Sequence, residues 1–378
     1  MTISRALEYH RKLRGKITVE PKRKVKDKDD LSLAYTPGVA EASLAIAKDR
    51  KEVYNLTGKW NSVAIVTDGT AVLGLGDIGP EAALPVMEGK AVLFKEFAGI
   101  DAYPICLKTK DVEEIVETIV NISPSFGAIN LEDISAPRCF DVERMLKERL
   151  DIPAMHDDQW GTAVVTLAAL KNALKLAKKE MGKIKIVVNG VGSAGTAITK
   201  LLLESGAKKI ILCDKSGIVA MGSFSDEYRN DLAETVNPNA ITGTLKDAMN
   251  GADVFIGVSA PNIVSGEMVR GMSKKAIVFA MANPVPEIMP EKAKEAGAFI
   301  VATGRSDFPN QVNNALGFPG IFRGLLDGRK KEITHEMLLR AADALAGAVS
   351  EKELRPDHII PSPFERGAAI SVANAVKA

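Results

Sequence analysis

The chain has 378 residues, more than one ordinary hydrophobic core fills, so two domains are expected. Apolar residues make up 46% and charged residues 26%, the balance of a water-soluble globular protein. With 49 basic against 48 acidic residues the net charge is +1, which offers a polyanion no basic excess and excludes nucleic acid as the expected partner. The one dense charge run, PKRKVKDKDD (21–30), mixes its signs and reads as a solvated loop. Cys106, Cys139 and Cys213 are widely spaced with no CxxC, so reduced thiols of a cytoplasmic protein are expected, with neither disulfide nor zinc. The first residues lack an apolar core of the signal-peptide kind, and no apolar run approaches the roughly 18–20 residues that span a bilayer. No membrane association is expected.

Residues 1–60 read as helices and turns, broken at AYTPGVA, where Pro37 and Gly38 redirect the chain. SVAIVTDG (62–69) is a short apolar run ending in turn residues, as a buried strand should. A Gly-dense stretch follows, then a second strand near 102–107. DVEEIVETIVNIS (111–123) carries apolar residues at helical spacing, FGAINLEDI reads as a strand, and DVERMLKERL as a helix. Strands alternating with helices imply a parallel α/β sheet. From about Gly161 the pattern changes: TAVVTLAALKNALKLAKKEMG reads as one long helix ending at Gly182, and a domain break is expected near 155–162. Further strands are expected at 184–188, at 210–213 and within ADVFIGVSAP and AIVFAMANP. Residues 331–378 read as mostly helical.

The segment Gly190-Val191-Gly192-Ser193-Ala194-Gly195 follows a strand and opens a helix, and Asp214 closes the next strand about 20 residues on. In that context GxGxxG indicates a dinucleotide site. Gly190 permits the tight turn, Gly192 the close approach of a pyrophosphate, and Gly195 the helix–strand packing. The helix N-terminus presents free N–H groups to the phosphates. Asp214 suits a ribose 2′-hydroxyl and favours NAD, whereas the adjacent Lys215 suits the 2′-phosphate of NADP.

Two pairs of neighbouring acids, Glu132-Asp133 and Asp157-Asp158, pose a further question, because adjacent carboxylates repel. They are either solvated loop charges or ligands around a cation. Oxygen-only ligands with no His or Cys cluster point to Mg²⁺ or Mn²⁺. Successive strand residues face opposite ways, so Glu132 and Asp133 can share one ion only where the strand ends and the backbone turns. His156 reads as a structural or supporting residue rather than a ligand.

AYTPGVA, TDGTAVLGLGDIGPEAALPVMEGKAVLFK, NLEDI, HDDQWGTA, NGVGSAG, ANPVPE and PNQVNNALGFPG occur in the order found in malic enzymes. The chain resembles the short prokaryotic type over about Ser32 to Pro363. The resemblance implies oxidation of L-malate with NAD or NADP, decarboxylation to pyruvate, a requirement for Mg²⁺ or Mn²⁺, and a homodimer. It implies an α/β fold with an N-terminal substrate and metal domain (1–158) and a Rossmann dinucleotide-binding domain with helical C-terminus (159–378). Tyr35 matches the family's general acid and Lys90 its base; Glu132, Asp133 and Asp158 match the metal ligands. Asn283 and the pair Asn313 and Asn314 match positions that hold substrate and the nicotinamide ribose. Ala71 stands where animal enzymes carry a carboxylate-gripping arginine, which leaves one malate carboxylate without an assigned partner. In this reading a bound cation lowers the Lys90 pKa so that it takes the hydroxyl proton of malate. Two other readings fit parts of the pattern: a metal-independent amino-acid dehydrogenase, which leaves Glu132-Asp133 unexplained, and a non-catalytic NAD-binding sensor, which predicts gaps in the catalytic set.

Overall fold

The computed structural model describes residues 4–72 and 74–378, the side chain of Arg366 excepted. Two parallel sheets organise it. The first is ordered β2-β1-β3-β4, built from β1 (Ser62–Thr67), β2 (Asp101–Cys106), β3 (Ala128–Leu131) and β4 (Ala154–His156). All its pairings are parallel. β1 and β3 are buried at every residue, as strands covered by helices on both faces must be. Helix Pro80–Ala98 connects β1 to β2 and helix Val112–Ile122 connects β2 to β3.

The second sheet is ordered β10-β9-β8-β5-β6-β7, with β5 (Lys185–Asn189), β6 (Lys209–Asp214), β7 (Gly217–Ile218), β8 (Val254–Gly257), β9 (Ile277–Ala280) and β10 (Ile300–Thr303). Only the two-residue β7 runs antiparallel. Strand order reverses at β5, which lies between β6 and β8, so the crevice beyond its carboxyl end is the switch point where doubly wound sheets bind ligands.

The two sheets are joined by a helix rather than a linker. The pattern placed that helix between about 162 and Gly182, but it runs Asp157–Ala177. It starts early because Asp157 and Asp158 fill its first turn, where free N–H groups and the dipole favour carboxylates. It ends at Ala177, since Lys178 adopts the left-handed conformation at φ 58°. A division at 158/159 therefore falls within the first turn of a continuous helix. The C-terminal helices Phe318–Asp327 and Arg366–Lys377 return to helix Pro80–Ala98, where Phe94 packs at 4.7 Å from Phe318 and 5.2 Å from Phe322. One apolar core thus runs from Val63 and Phe94 under the first sheet to Ile186 and Phe279 in the second.

Candidate active site

The carboxyl ends of both sheets face one cleft. β3 ends at Leu131, Glu132 follows, and Asp133 turns the chain in the left-handed region at φ 52°, a conformation Asp tolerates better than most residues. That turn lets the two neighbouring side chains converge. Asp158, in the first turn of the connecting helix, joins them: carboxylate oxygens of Glu132, Asp133 and Asp158 lie within 4.8 Å of one another. The Asp158 carboxylate also accepts the Asp133 backbone N–H at 2.8 Å, and Asn130 Nδ2 donates to Glu132 at 3.0 Å. Glu132 and Asp133 are buried and Asp158 is half-buried, so solvated loop charges do not describe them. Three carboxylates, close together and largely withdrawn from water, fit a hard divalent cation.

Lys90 enters this cluster from helix Pro80–Ala98. Its ammonium lies 2.5 Å from Glu132 Oε2, donates to Asp157 Oδ2, and sits 4.3 Å from the centre of the Phe318 ring. Burial alone would lower the Lys90 pKa, but Asp157, then Glu132 and Asp158, outweigh it and hold it above the ordinary lysine range. These neighbouring carboxyl groups favour the ammonium form of the buried side chain, whereas the lowering expected from the sequence belongs to the cluster with a cation bound. Burial also raises Glu132 and Asp158, against the pull of Lys90. Asp157, fully buried, is the partner that sequence reasoning passed over. It appeared only as a neighbour of Asp158, and the pairing with Lys90 spans 67 positions. His156 is buried with its Nε2 3.5 Å from Asp158, and burial pushes its pKa down to about 4. The low value keeps the ring neutral near pH 7, and neither of its nitrogens has a hydrogen-bond partner among the described residues.

The cluster opens into a cavity of about 700 Å³ lined also by Ala71, Asn283, Asn313 and Asn314. Asn283 is held between the two halves of the molecule: Gly74, at φ 74°, brings its backbone so near the Asn283 carbonyl that no side chain fits there. At the far end lies a second cavity of about 770 Å³, lined by Gly190, Val191, Gly192, Ser193 and Asp214. Ala71, Ser193 and Ser259 border both cavities, so the turn and the acidic cluster face one continuous space. Gly190 has φ 106° and lies against the Val258 carbonyl, and Gly195 packs on Gly190, whereas Gly192 faces open space. Ala194 borders the first cavity. Ser259 was not foreseen; Asn189 donates to its hydroxyl at 2.6 Å and its N–H donates to the buried Glu287 at 2.9 Å. No strand periodicity flags such a loop residue.

Tyr35 departs from the expected set. It caps helix Lys28–Ala34, is 68% exposed, and does not border either cavity. Among the described residues up to Leu56 none is buried, and Leu31, Leu33, Val39 and Leu44 lie exposed around it.

Comparison with known proteins agrees with this geometry. The family model for the malic enzyme N-terminal domain matches residues 14–147, and that for the malic enzyme NAD binding domain matches residues 160–378. The chain is 56% identical over 373 residues to the bifunctional malic/malolactic enzyme of Bacillus subtilis, covering 98% of this chain and 91% of that one. It is 57% identical over 363 residues to the NAD-dependent malic enzyme of Geobacillus stearothermophilus, covering 96% of this chain and 76% of the relative. The crystal structure of an NAD-dependent malic enzyme from Thermotoga maritima superposes with a TM-score of 0.95 at 51% identity, covering 99% of both chains. With both sheets, the acidic cluster and the glycine turn in place, this chain belongs to the malic enzyme family.

Proposed function

We infer that the chain catalyses the oxidative decarboxylation of L-malate to pyruvate and CO₂ with reduction of NAD or NADP. The observation that carries this reading is the contact of Lys90 with Glu132 and Asp157 at the floor of a cleft that continues into the Gly190–Gly195 turn. A metal-independent amino-acid dehydrogenase has no use for the buried three-carboxylate cluster.

Glu132, Asp133 and Asp158 would hold Mg²⁺ or Mn²⁺. Bound there, the ion supplies a Lewis acid toward substrate oxygens and offsets the carboxylate field that keeps Lys90 protonated. Lys90 is the base that takes the C2 hydroxyl proton of malate, and the Asp157 carboxyl group, which accepts a hydrogen bond from its nitrogen, orients it and stabilises the ammonium so formed. The side-chain amides of Asn283, Asn313 and Asn314, which line the cleft, orient the substrate and the nicotinamide ribose. Phe318, beside the Lys90 ammonium, narrows the wet space around it. The helix beginning at Ser193 seats the dinucleotide phosphates with its free N–H groups, and Asp214 favours NAD at the ribose.

Tyr35 keeps the acid role, protonating C3 of the enol product, as part of a homodimer in which a second copy carries it into the cleft. Its exposure on an N-terminal segment without buried residues supports this placement. Three free cysteines suit a reducing compartment such as the cytoplasm. No described helix is long and apolar enough to cross a membrane.

The test is steady-state formation of pyruvate from L-malate with NAD⁺ or NADP⁺, with Mn²⁺ and then with EDTA. Metal-dependent pyruvate formation coupled to reduced dinucleotide is expected. Full activity in EDTA overturns the metal assignment, and absence of pyruvate with both dinucleotides overturns the reaction.

A further inference from the structure

Phe224 and Arg229 form a stacked pair on the wall of the dinucleotide cavity, the guanidinium carbon 4.6 Å from the ring centre. Asp214 and Lys215 lie on the same wall. The acid that closes the second strand of such a sheet marks the adenosine ribose, so a 2′-phosphate entering here would seek a cation on this wall. Arg229 is the planar, two-pronged donor suited to it.

That guanidinium is already engaged. Arg229 Nε donates to Asp226 Oδ2 at 2.6 Å, and its terminal NH2 pairs with the same oxygen. Asp226 Oδ1 meanwhile accepts the Arg229 backbone N–H at 3.0 Å, capping helix Glu227–Val236. The two side chains are only 17% and 12% exposed, so solvent screens this pair little. The backbone that carries the stacked ring is held as well: Asn230 accepts the Phe224 N–H and donates to its carbonyl. Lys215, by contrast, is exposed on a flexible stem, where a cation contributes little.

We propose that Asp226 is a specificity-determining positioning residue: it neutralises Arg229 and pins it on Phe224, leaving Asp214 to receive a free 2′-hydroxyl and no forked cation to receive a 2′-phosphate. The proposal rests on reading this cleft as the NAD(P) site and explains which dinucleotide that site takes. No substrate chemistry enters it.

The test is calorimetric titration with 5′-AMP and with 2′,5′-ADP, which report on this wall independently of malate turnover. Asp226→Ser keeps a helix-capping oxygen but cannot hold the guanidinium. It should raise affinity for 2′,5′-ADP roughly 10- to 100-fold, the gain of one or two charge-assisted hydrogen bonds, with 5′-AMP changed less than about threefold. Adding Arg229→Ala to that variant should abolish the gain. In the otherwise wild-type protein Arg229→Ala should weaken both nucleotides by the same factor, through loss of the stacked wall alone. An unchanged 2′,5′-ADP affinity in Asp226→Ser overturns the proposal. So does a selective loss of 2′,5′-ADP in Arg229→Ala, an arm that does not depend on the Asp226 variant folding. A wild type that binds neither nucleotide removes the cofactor reading itself, while pyruvate formation would still be judged separately.

Discussion

Tyr35 and Lys90 belong to one reaction in the proposed mechanism, yet one chain holds Lys90 buried in its cleft and Tyr35 on its surface. If a second copy supplies Tyr35, two inactive variants should restore each other. Tyr35→Phe retains an intact Lys90 cleft, and Lys90→Ala retains an intact Tyr35. In a mixed dimer the cleft of the first receives tyrosine from the second and is complete, whereas the other cleft lacks both groups. Random pairing of equal amounts makes roughly half the dimers mixed, each with one complete site of two, so co-expressed chains should show about one quarter of wild-type kcat. The KM for malate should stay at the wild-type value, because the complete sites are unaltered. Each variant alone should remain at least about 100-fold down, the usual contribution of a positioned acid or base. The assay is malate-dependent dinucleotide reduction by the co-expressed mixture, purified without selection for mixed dimers. Tyr35→Phe alone should also slow proton exchange at C3 of pyruvate. Activity of the mixture no greater than that of its parents would refute the two-copy site, and unchanged exchange would remove Tyr35 from the acid role.

Asp158→Ala should abolish malate oxidation while leaving NADH binding, followed by fluorescence titration, near wild type; retained turnover would dissolve the metal cluster as a functional unit. Asp214→Ser should shift the kcat/KM ratio toward NADP⁺ by roughly 1–3 kcal/mol through relief of charge repulsion at the ribose, and a wild type that already uses both cofactors equally would show Asp214 not to discriminate. His156 predicts a pH dependence of stability: its folded pKa, about 4, lies below the ordinary 6.5 because the ring is fully buried. Between those values the unfolded chain binds the proton and the folded one does not, so stability falls as pH drops from 6.5 toward 4, by on the order of 3 kcal/mol in total. Urea unfolding of wild type against His156→Gln measures that difference, and equal losses in both would place the acid sensitivity in the carboxylates instead.

Much of this arrangement was legible in local sequence. The glycine turn announced itself because a strand, three glycines and a helix start must be contiguous to seat a pyrophosphate, and Asp214 followed at the spacing one βαβ unit imposes. Glu132, Asp133 and Asp158 were legible as candidates because neighbouring acids are costly without a counter-charge. The short β4 (Ala154–His156) and β10 (Ile300–Thr303) escaped notice, since so few residues mark a strand only when the apolar run around them is distinct from its neighbours. The extent of helix Asp157–Ala177 was misread because its first turn is polar, and only its position between two sheets makes that polarity useful.

Other features were decided by the tertiary structure alone. Local sequence determined which residue types were available at each strand end and turn, since those depend on φ, side-chain period and capping. The charge state of Lys90 depends on Asp157 and Glu132, brought from 67 and 42 positions away by separate elements. Whether Tyr35 meets its own cleft depends on how an N-terminal segment with no buried residue packs, and nothing in AYTPGVA encodes that distance. The capture of Arg229 by Asp226 is local in sequence, but its meaning comes from the cavity wall it shares with Asp214. Electrostatic energies depend on separation and burial, and both are properties of the packed fold rather than of any stretch of chain.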